Sequence, residues 1–150
     1  MANRRVVKTV SFPTRSKPHM LRVSPDGKEV WVQTADANTN VVLDASDLSV
    51  LSTQPTGKQP VTNAWTRDRR HSIVTNGQDT FAQIFDARTF KEVKRLTIGQ
   101  GGSNIGFSRD GVTAFIAVRG TNDVAVIDMT KLVLAGRIRA GTEPQGLIVR

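Results

Sequence analysis

Apolar residues along the chain fall in short runs of strand length, such as Val124 to Ile127 and Leu147 to Val149, separated by polar turn residues. None approaches the eighteen or so apolar residues of a membrane span. Between Met20 and Thr53 the pattern predicts four strands: Met20–Ser24, Glu29–Gln33, Asn40–Asp44 and Ser49–Thr53. Ser24-Pro25-Asp26-Gly27 joins the first two. Proline presets φ, aspartate hydrogen-bonds its own backbone and glycine accepts a positive φ, so this tetrapeptide should fold the first strand back onto the second.

The pattern recurs. Pro18 and Pro60 lie 42 residues apart, as do Gly57, Gly99 and Gly141 in turn, and Asp44, Asp86 and Asp128. The period needs no gap and divides the chain into copies at 15–56, 57–98 and 99–140, with 1–14 before them and 141–150 after. The first turn returns as Ser108-Arg109-Asp110-Gly111. In Thr66-Arg67-Asp68-Arg69 an arginine takes the place of the glycine, which should strain that turn without abolishing the hairpin. Asp44, Asp86 and Asp128 each close a third strand, where an Asx-type bond would hold the next turn. An aspartate needed in every copy reads as structural, because chemistry needs one site.

A four-stranded unit at this spacing is the pattern of a β-propeller blade. The expected fold class is all-β, with blades of four antiparallel strands, about three and a half of them in this chain. Gly57-Lys58-Gln59-Pro60, Ser24-Pro25-Asp26-Gly27-Lys28, the valine-rich strand after it and Val124-Ala125-Val126-Ile127-Asp128 together resemble the YVTN-type β-propeller repeat family of the surface-layer and cytochrome d1-like superfamily. The strand that gives this family its name is altered here to Val30-Trp31-Val32-Gln33, Ile73-Val74-Thr75-Asn76 and Phe115-Ile116-Ala117-Val118. The resemblance implies a disc of about seven blades and a periplasmic or extracellular location.

Val7-Lys8-Thr9-Val10-Ser11-Phe12 is similar to the fourth-strand segment Val93-Lys94-Arg95-Leu96-Thr97-Ile98, so 1–14 reads as strand D of an incomplete blade. Residues 141–150 read as strand A of another. An inner strand without its neighbours exposes unpaired backbone groups. The expectation is therefore completion, by self-association or within a longer propeller.

The up-and-down strand order puts the D-to-A and B-to-C loops on one face, which would present Lys17, His19, Lys58, Asn76, Asp79, Arg119 and Asn122 to a ligand, with Asp123 and Glu143 beside them. Pro18-His19-Met20-Leu21-Arg22-Val23-Ser24 resembles the stretch that carries a haem-binding histidine in the d1-haem propellers of cytochrome cd1 nitrite reductases. A histidine there can equally hydrogen-bond a neighbouring loop at the mouth of the disc. His71 belongs to an A-to-B turn on the opposite face, so the two histidines are not expected to share a metal.

Composition narrows the chemistry. With 38% hydrophobic and 23% charged residues the chain is ordinary globular material. It has no cysteine, which excludes disulfides, thiolate metal sites and cysteine nucleophiles and leaves the compartment open. Lys8 interrupts the apolar residues that follow Arg4 and Arg5, so no signal-peptide core is seen. Gly-x-Ser-x-Gly, P-loop and His-Glu-x-x-His patterns are missing, and Gly99-Gln100-Gly101-Gly102 does not open a helix. No catalytic residue, metal ligand set or cofactor follows.

The net charge of +8 raises a nucleic-acid reading, centred on Arg67, Arg69 and Arg70. Much of the excess lies in or beside fourth strands, at Arg4, Arg5, Lys8, Lys91, Lys94, Arg95, Arg137 and Arg139, where charge blunts an exposed sheet edge. Trp31, Trp65 and Phe107 fall at positions expected between blades rather than on a stacking surface. The function expected is a non-enzymatic propeller scaffold for protein or ligand binding. A basic nucleic-acid-binding propeller, or a lactonase-like or d1-haem-like enzyme or cofactor domain, are the alternatives.

Overall fold

A computed structural model describes residues 5–149, so Arg4 lies outside the described residues. The fold is all-β: among the described residues twelve strands form three four-stranded antiparallel sheets. Blade 1 comprises β1 (Pro18–Val23), β2 (Glu29–Thr34), β3 (Thr39–Asp44) and β4 (Val50–Pro55). Blade 2 comprises β5 (Pro60–Trp65), β6 (His71–Asn76), β7 (Phe81–Asp86) and β8 (Glu92–Thr97). Blade 3 comprises β9 (Gly102–Phe107), β10 (Thr113–Val118), β11 (Asp123–Asp128) and β12 (Val133–Arg139). In each sheet the strands lie in sequence order, and the first strands stand side by side, β1 against β5 and β5 against β9. No helix among the described residues is long and apolar enough to cross a membrane.

Strand A starts at Pro18, two residues before the predicted Met20, because Pro18 pairs with Thr34 across a register shift. The turns follow the chemistry read from the sequence. Gly27 sits at φ 74° and its amide donates to the Ser24 carbonyl at 2.9 Å, while Asp26 accepts from the Ser24 hydroxyl at 2.7 Å. In blade 2 the arginine at the glycine position, Arg69, holds φ 59° and the hairpin still closes, with the Thr66 amide 2.9 Å from the His71 carbonyl. Asp44, Asp86 and Asp128 accept the amides of Ser46, Thr89 and Thr130 at 2.7, 2.7 and 2.9 Å.

Alternation along the strands gives every blade two faces, and the two seams between blades differ in character. The seam of blades 2 and 3 is apolar: Ile73, Ala82, Ile84, Leu96 and Ile98 meet Ile105, Ala114, Ile116, Val118, Ala125 and Ile127. Each isoleucine, leucine or valine among them contributes about 1.5–3 kcal/mol by leaving water. In the seam of blades 1 and 2, Trp31 is fully buried among Val42, Val74 and Phe85, with Trp65, Phe85 and Phe90 set edge-to-face around it at centroid distances of 5.6, 6.4 and 6.0 Å. Beside this cluster runs a chain of buried amides. Gln33 donates to Asn40 at 2.8 Å and to Asn63 at 3.2 Å, and Asn63 donates to the Ser72 hydroxyl at 3.1 Å.

The two end segments lie outside the twelve strands. Val10 and Phe12 pack on Val32, Val41 and Leu43 of blade 1 without joining its sheet. Residues 141–149 lie along β9, where the Gln145 carbonyl accepts the Asn104 amide at 3.3 Å. Among the described residues of these segments, 5–14 and 141–149, no strand is formed.

Candidate functional site

The D-to-A and B-to-C loops meet on one face, and a repeated set of backbone bonds joins them. The amides of Ala35, Gly77 and Arg119 donate to the carbonyls of Lys17, Gln59 and Gly101 at 2.9, 2.7 and 3.0 Å. The three acceptor residues, together with Glu143, hold positive φ between 49° and 82°. Glycine occupies that position once. Elsewhere lysine, glutamine and glutamate accept a conformation costing about 1 kcal/mol, so the loop geometry is imposed by the blades.

The expected site residues divide into two groups on this face. Lys58, Asn76 and Asp79 come together around Gly57 at the start of blade 2, and Arg119 reaches the same B-to-C loop from blade 3. Asp79 accepts the Lys58 amide at 2.6 Å, and Arg119 donates to the Gly77 carbonyl at 3.3 Å. A side chain at Gly57 would strike both Asn76 and Asp79, at 2.7 and 2.8 Å. Asn76 is fully buried and donates to the Phe81 carbonyl at 3.1 Å, so it ties β6 to β7 instead of facing a ligand. The other group is dispersed. Lys17 pairs with Asp36 at 3.7 Å in solvent, and Asn122 accepts the Glu143 amide at 2.9 Å. Asp123 takes both of its contacts with Arg137 at 3.0 Å.

His19 stands at the start of β1, exposed, with Nδ1 3.2 Å from the Val61 carbonyl of the next blade. As the Nδ1–H tautomer it donates that bond and spans two inner strands. No group of three or more histidine, aspartate or glutamate side chains able to hold a metal ion occurs among the described residues.

The arginines of the nucleic-acid reading lie at the opposite face. Arg67, Arg70 and His71 line a cavity of about 430 Å³ between the turns of blades 2 and 3, floored by Val112, Met129 and Leu132. Arg69 points elsewhere, into a small recess beside Pro25 and Trp65. Asp68 and Asp110 share the cavity wall, and both carboxyls are held below the ordinary aspartate range, by the Thr66 and Ser108 hydroxyls first and then by turn amides. A polyphosphate chain entering here meets two ionised carboxylates beside its arginines.

The buried amide chain was not foreseen from the sequence. Gln83 centres a second set in the same seam: it accepts the Gly57 amide at 2.9 Å, donates to the Pro55 carbonyl of blade 1 at 3.3 Å and to Glu92 at 2.6 Å, and Glu92 in turn grips Arg95. Pairing these polar residues across a B-to-C turn, Gln33 with Asn40 and Asn76 with Gln83, was the available signal.

Three four-stranded blades in sequential contact define the class: a β-propeller array. No family model and no curated protein matches the sequence. Solved structures do match. The chain is similar to Kuenenia stuttgartiensis hydrazine synthase with a TM-score of 0.82 and 24% identity, over 93% of this chain and 41% of that one. It is similar to the dihydro-heme d1 dehydrogenase NirN in complex with DHE with a TM-score of 0.70 and 19% identity, over 79% of this chain and 27% of that one. A putative 6-phosphogluconolactonase from Bacteroides fragilis gives 0.74 and 17%, over 85% and 40%. The chain thus spans less than half the length of each, and at these identities the likeness is one of fold.

Proposed function

We propose that the chain is a YVTN-type β-propeller scaffold that binds a protein or ligand through its loop face without catalysing a reaction, its blades completed by further blades of a second copy or of a longer polypeptide. The observation that carries this reading is the fate of the loop-face polar groups. Asp79, Arg119 and Asn122 are committed to joining one loop to the next and Asp123 to Arg137 of β12, which makes a stiff platform and leaves the Lys17, Lys58, Gln78 and Gln100 side chains outward. A rigid polar surface loses little entropy on binding, whereas a catalytic site needs free acid–base groups aimed at one point. The enzymes and haem proteins of similar fold lend this chain no residue set at the present level of identity.

A photo-cross-linking residue placed at Lys58, and in a second variant at Lys131 among the turns of the other face, tests the reading in an extract of the source cells. A recurrent adduct from position 58 and none from 131 is expected. Equal labelling from both positions, lactone hydrolysis by the purified chain, or a retained haem absorption band overturns it.

A further inference from the structure

Each blade has one flank turned toward the preceding blade and one toward the following blade. Blade 1 and blade 3 each have one flank that meets no other blade among the described residues. The period of 42 residues states what those flanks are made of. On blade 3 the counterparts of Ile73, Ala82, Ile84 and Leu96 are Phe115, Val124, Val126 and Ile138. On blade 1 the counterparts of Ile105, Ala114, Ile116, Ala125 and Ile127 are Leu21, Val30, Val32, Val41 and Leu43. Both unpaired flanks are thus of the apolar kind that meets at the seam of blades 2 and 3. The seam of blades 1 and 2 is different, with Gln33 and Asn40 facing Asn63 and Ser72. An apolar flank inserted there would leave those buried amides unpaired.

Both free flanks carry stand-ins for a neighbour. Val10 and Phe12 cover Val32, Val41 and Leu43. Leu147 and Val149 lie over Gly106, where an added Cβ would come within 2.6 and 2.9 Å of them. In the period these two residues are the counterparts of Leu21 and Val23, which stand 58% and 53% exposed on β1. The trailing segment therefore occupies the slot that a first strand would fill. Among the described residues Ile138 stays 53% exposed beside it.

We propose that a second copy of this chain docks head-to-tail, the free flank of its blade 1 against the free flank of blade 3, with its β1 replacing residues 145–149. This rests on the scaffold reading and names the partner that extends the disc. The contact is heterologous, so it builds a ring or a filament according to the rotation per copy.

The chain lacks cysteine, which makes the test direct. At the seam of blades 2 and 3 an added Cβ at Gly111 would stand 2.7 Å from the Arg67 Cβ; a disulfide needs about 3.8 Å, so once these exposed turns part by about 1 Å, Arg67→Cys with Gly111→Cys should bond within one molecule. One period out, the same relation joins Arg109 of one copy to Gly27 of the next. Within one chain blade 2 stands between these two residues. The full chain carrying Gly27→Cys and Arg109→Cys should give a ladder of disulfide-linked species on oxidation, and light scattering of the unaltered chain should give a mass of two or more copies. A double variant that stays uncross-linked while the Arg67/Gly111 control bonds, or a ladder from either single variant alone, overturns the proposal. Such a failure leaves the loop-face reading untouched, since adducts at position 58 report on a different surface.

Discussion

The Arg119 guanidinium of blade 3 reaches back across 42 residues to the Gly77 carbonyl of blade 2, at 3.3 Å, and it does so through the space a side chain on Gly77 would fill. A Cβ there would stand 3.0 Å from Val61 Cγ2 and 3.1 Å from Arg119 Nη2. Gly77→Val should therefore overpack the seam and destabilise the chain by about 1–3 kcal/mol in urea unfolding. Adding Arg119→Ala should recover part of that loss. Strictly additive effects of the two substitutions would show that the residues do not share the space.

Arg69 sits at φ 59°, where blades 1 and 3 have Gly27 at 74° and Gly111 at 79°. A left-handed conformation costs a non-glycine residue roughly 1 kcal/mol, and the exposed Arg69 side chain makes no bond that offsets it. Arg69→Gly is expected to raise stability by about 0.5–1 kcal/mol, with the extra unfolded-state entropy of glycine keeping the gain small. A fall in melting temperature would mean that Arg69 anchors the turn.

These two sites show where sequence reading succeeds. Period, strand order and the three Asx turns were legible because glycine, proline and aspartate act locally, and local rules survive tertiary context. The identity of the loop-face residues was not. Asn76 ends a strand and borders a loop, yet it is buried because Phe81 on the next strand offers its carbonyl across the sheet. Gln33, Asn40 and Asn63 alternate like solvent-facing residues, and their burial depends on a blade 30 residues away in sequence, from Gln33 to Asn63. Polar side chains that satisfy one another across a seam carry no signature that separates them from surface ones.

The polar seam should respond to mutation unlike the apolar one. Gln33→Leu removes the shared donor to Asn40 and Asn63, and leaves both acceptors buried with less than they need. A loss of about 1–3 kcal/mol per unpaired group is expected despite the added apolar volume. Ile116→Val in the other seam removes one methylene and should cost about 0.5–1.5 kcal/mol. Gln33→Leu proving neutral in urea titration would show that the amide chain contributes nothing to blade pairing.

Acid should unfold the protein through its turns. Asp44 is held below the ordinary carboxylate range by the Ser46 hydroxyl and amide, Asp86 by the Thr89 amide and hydroxyl, and Asp128 by the Thr130 hydroxyl and the Lys131 amide. The A-to-B turns repeat the arrangement, with the hydroxyls of Ser24, Thr66 and Ser108 acting first on Asp26, Asp68 and Asp110. A carboxyl whose folded pKa lies below its unfolded value stabilises the fold fully above the unfolded value, about 4, and loses that contribution as pH falls through the folded one. Glu29 works the other way: burial raises its pKa against the opposing Trp31 bond, so protonation favours the folded state there. Asp47, through the Ser49 amide, and Glu92, through Arg95, are depressed as well; these carboxyls outweigh the one raised one, and the melting temperature should be level from pH 7 to about 5 and drop steeply below 4. The triple variant Asp44→Asn, Asp86→Asn and Asp128→Asn keeps a turn acceptor without the titrating charge. It should melt below the parent at pH 7, with the gap closing toward pH 3. A gap that stays constant over that range would place the acid sensitivity outside the C-to-D turns.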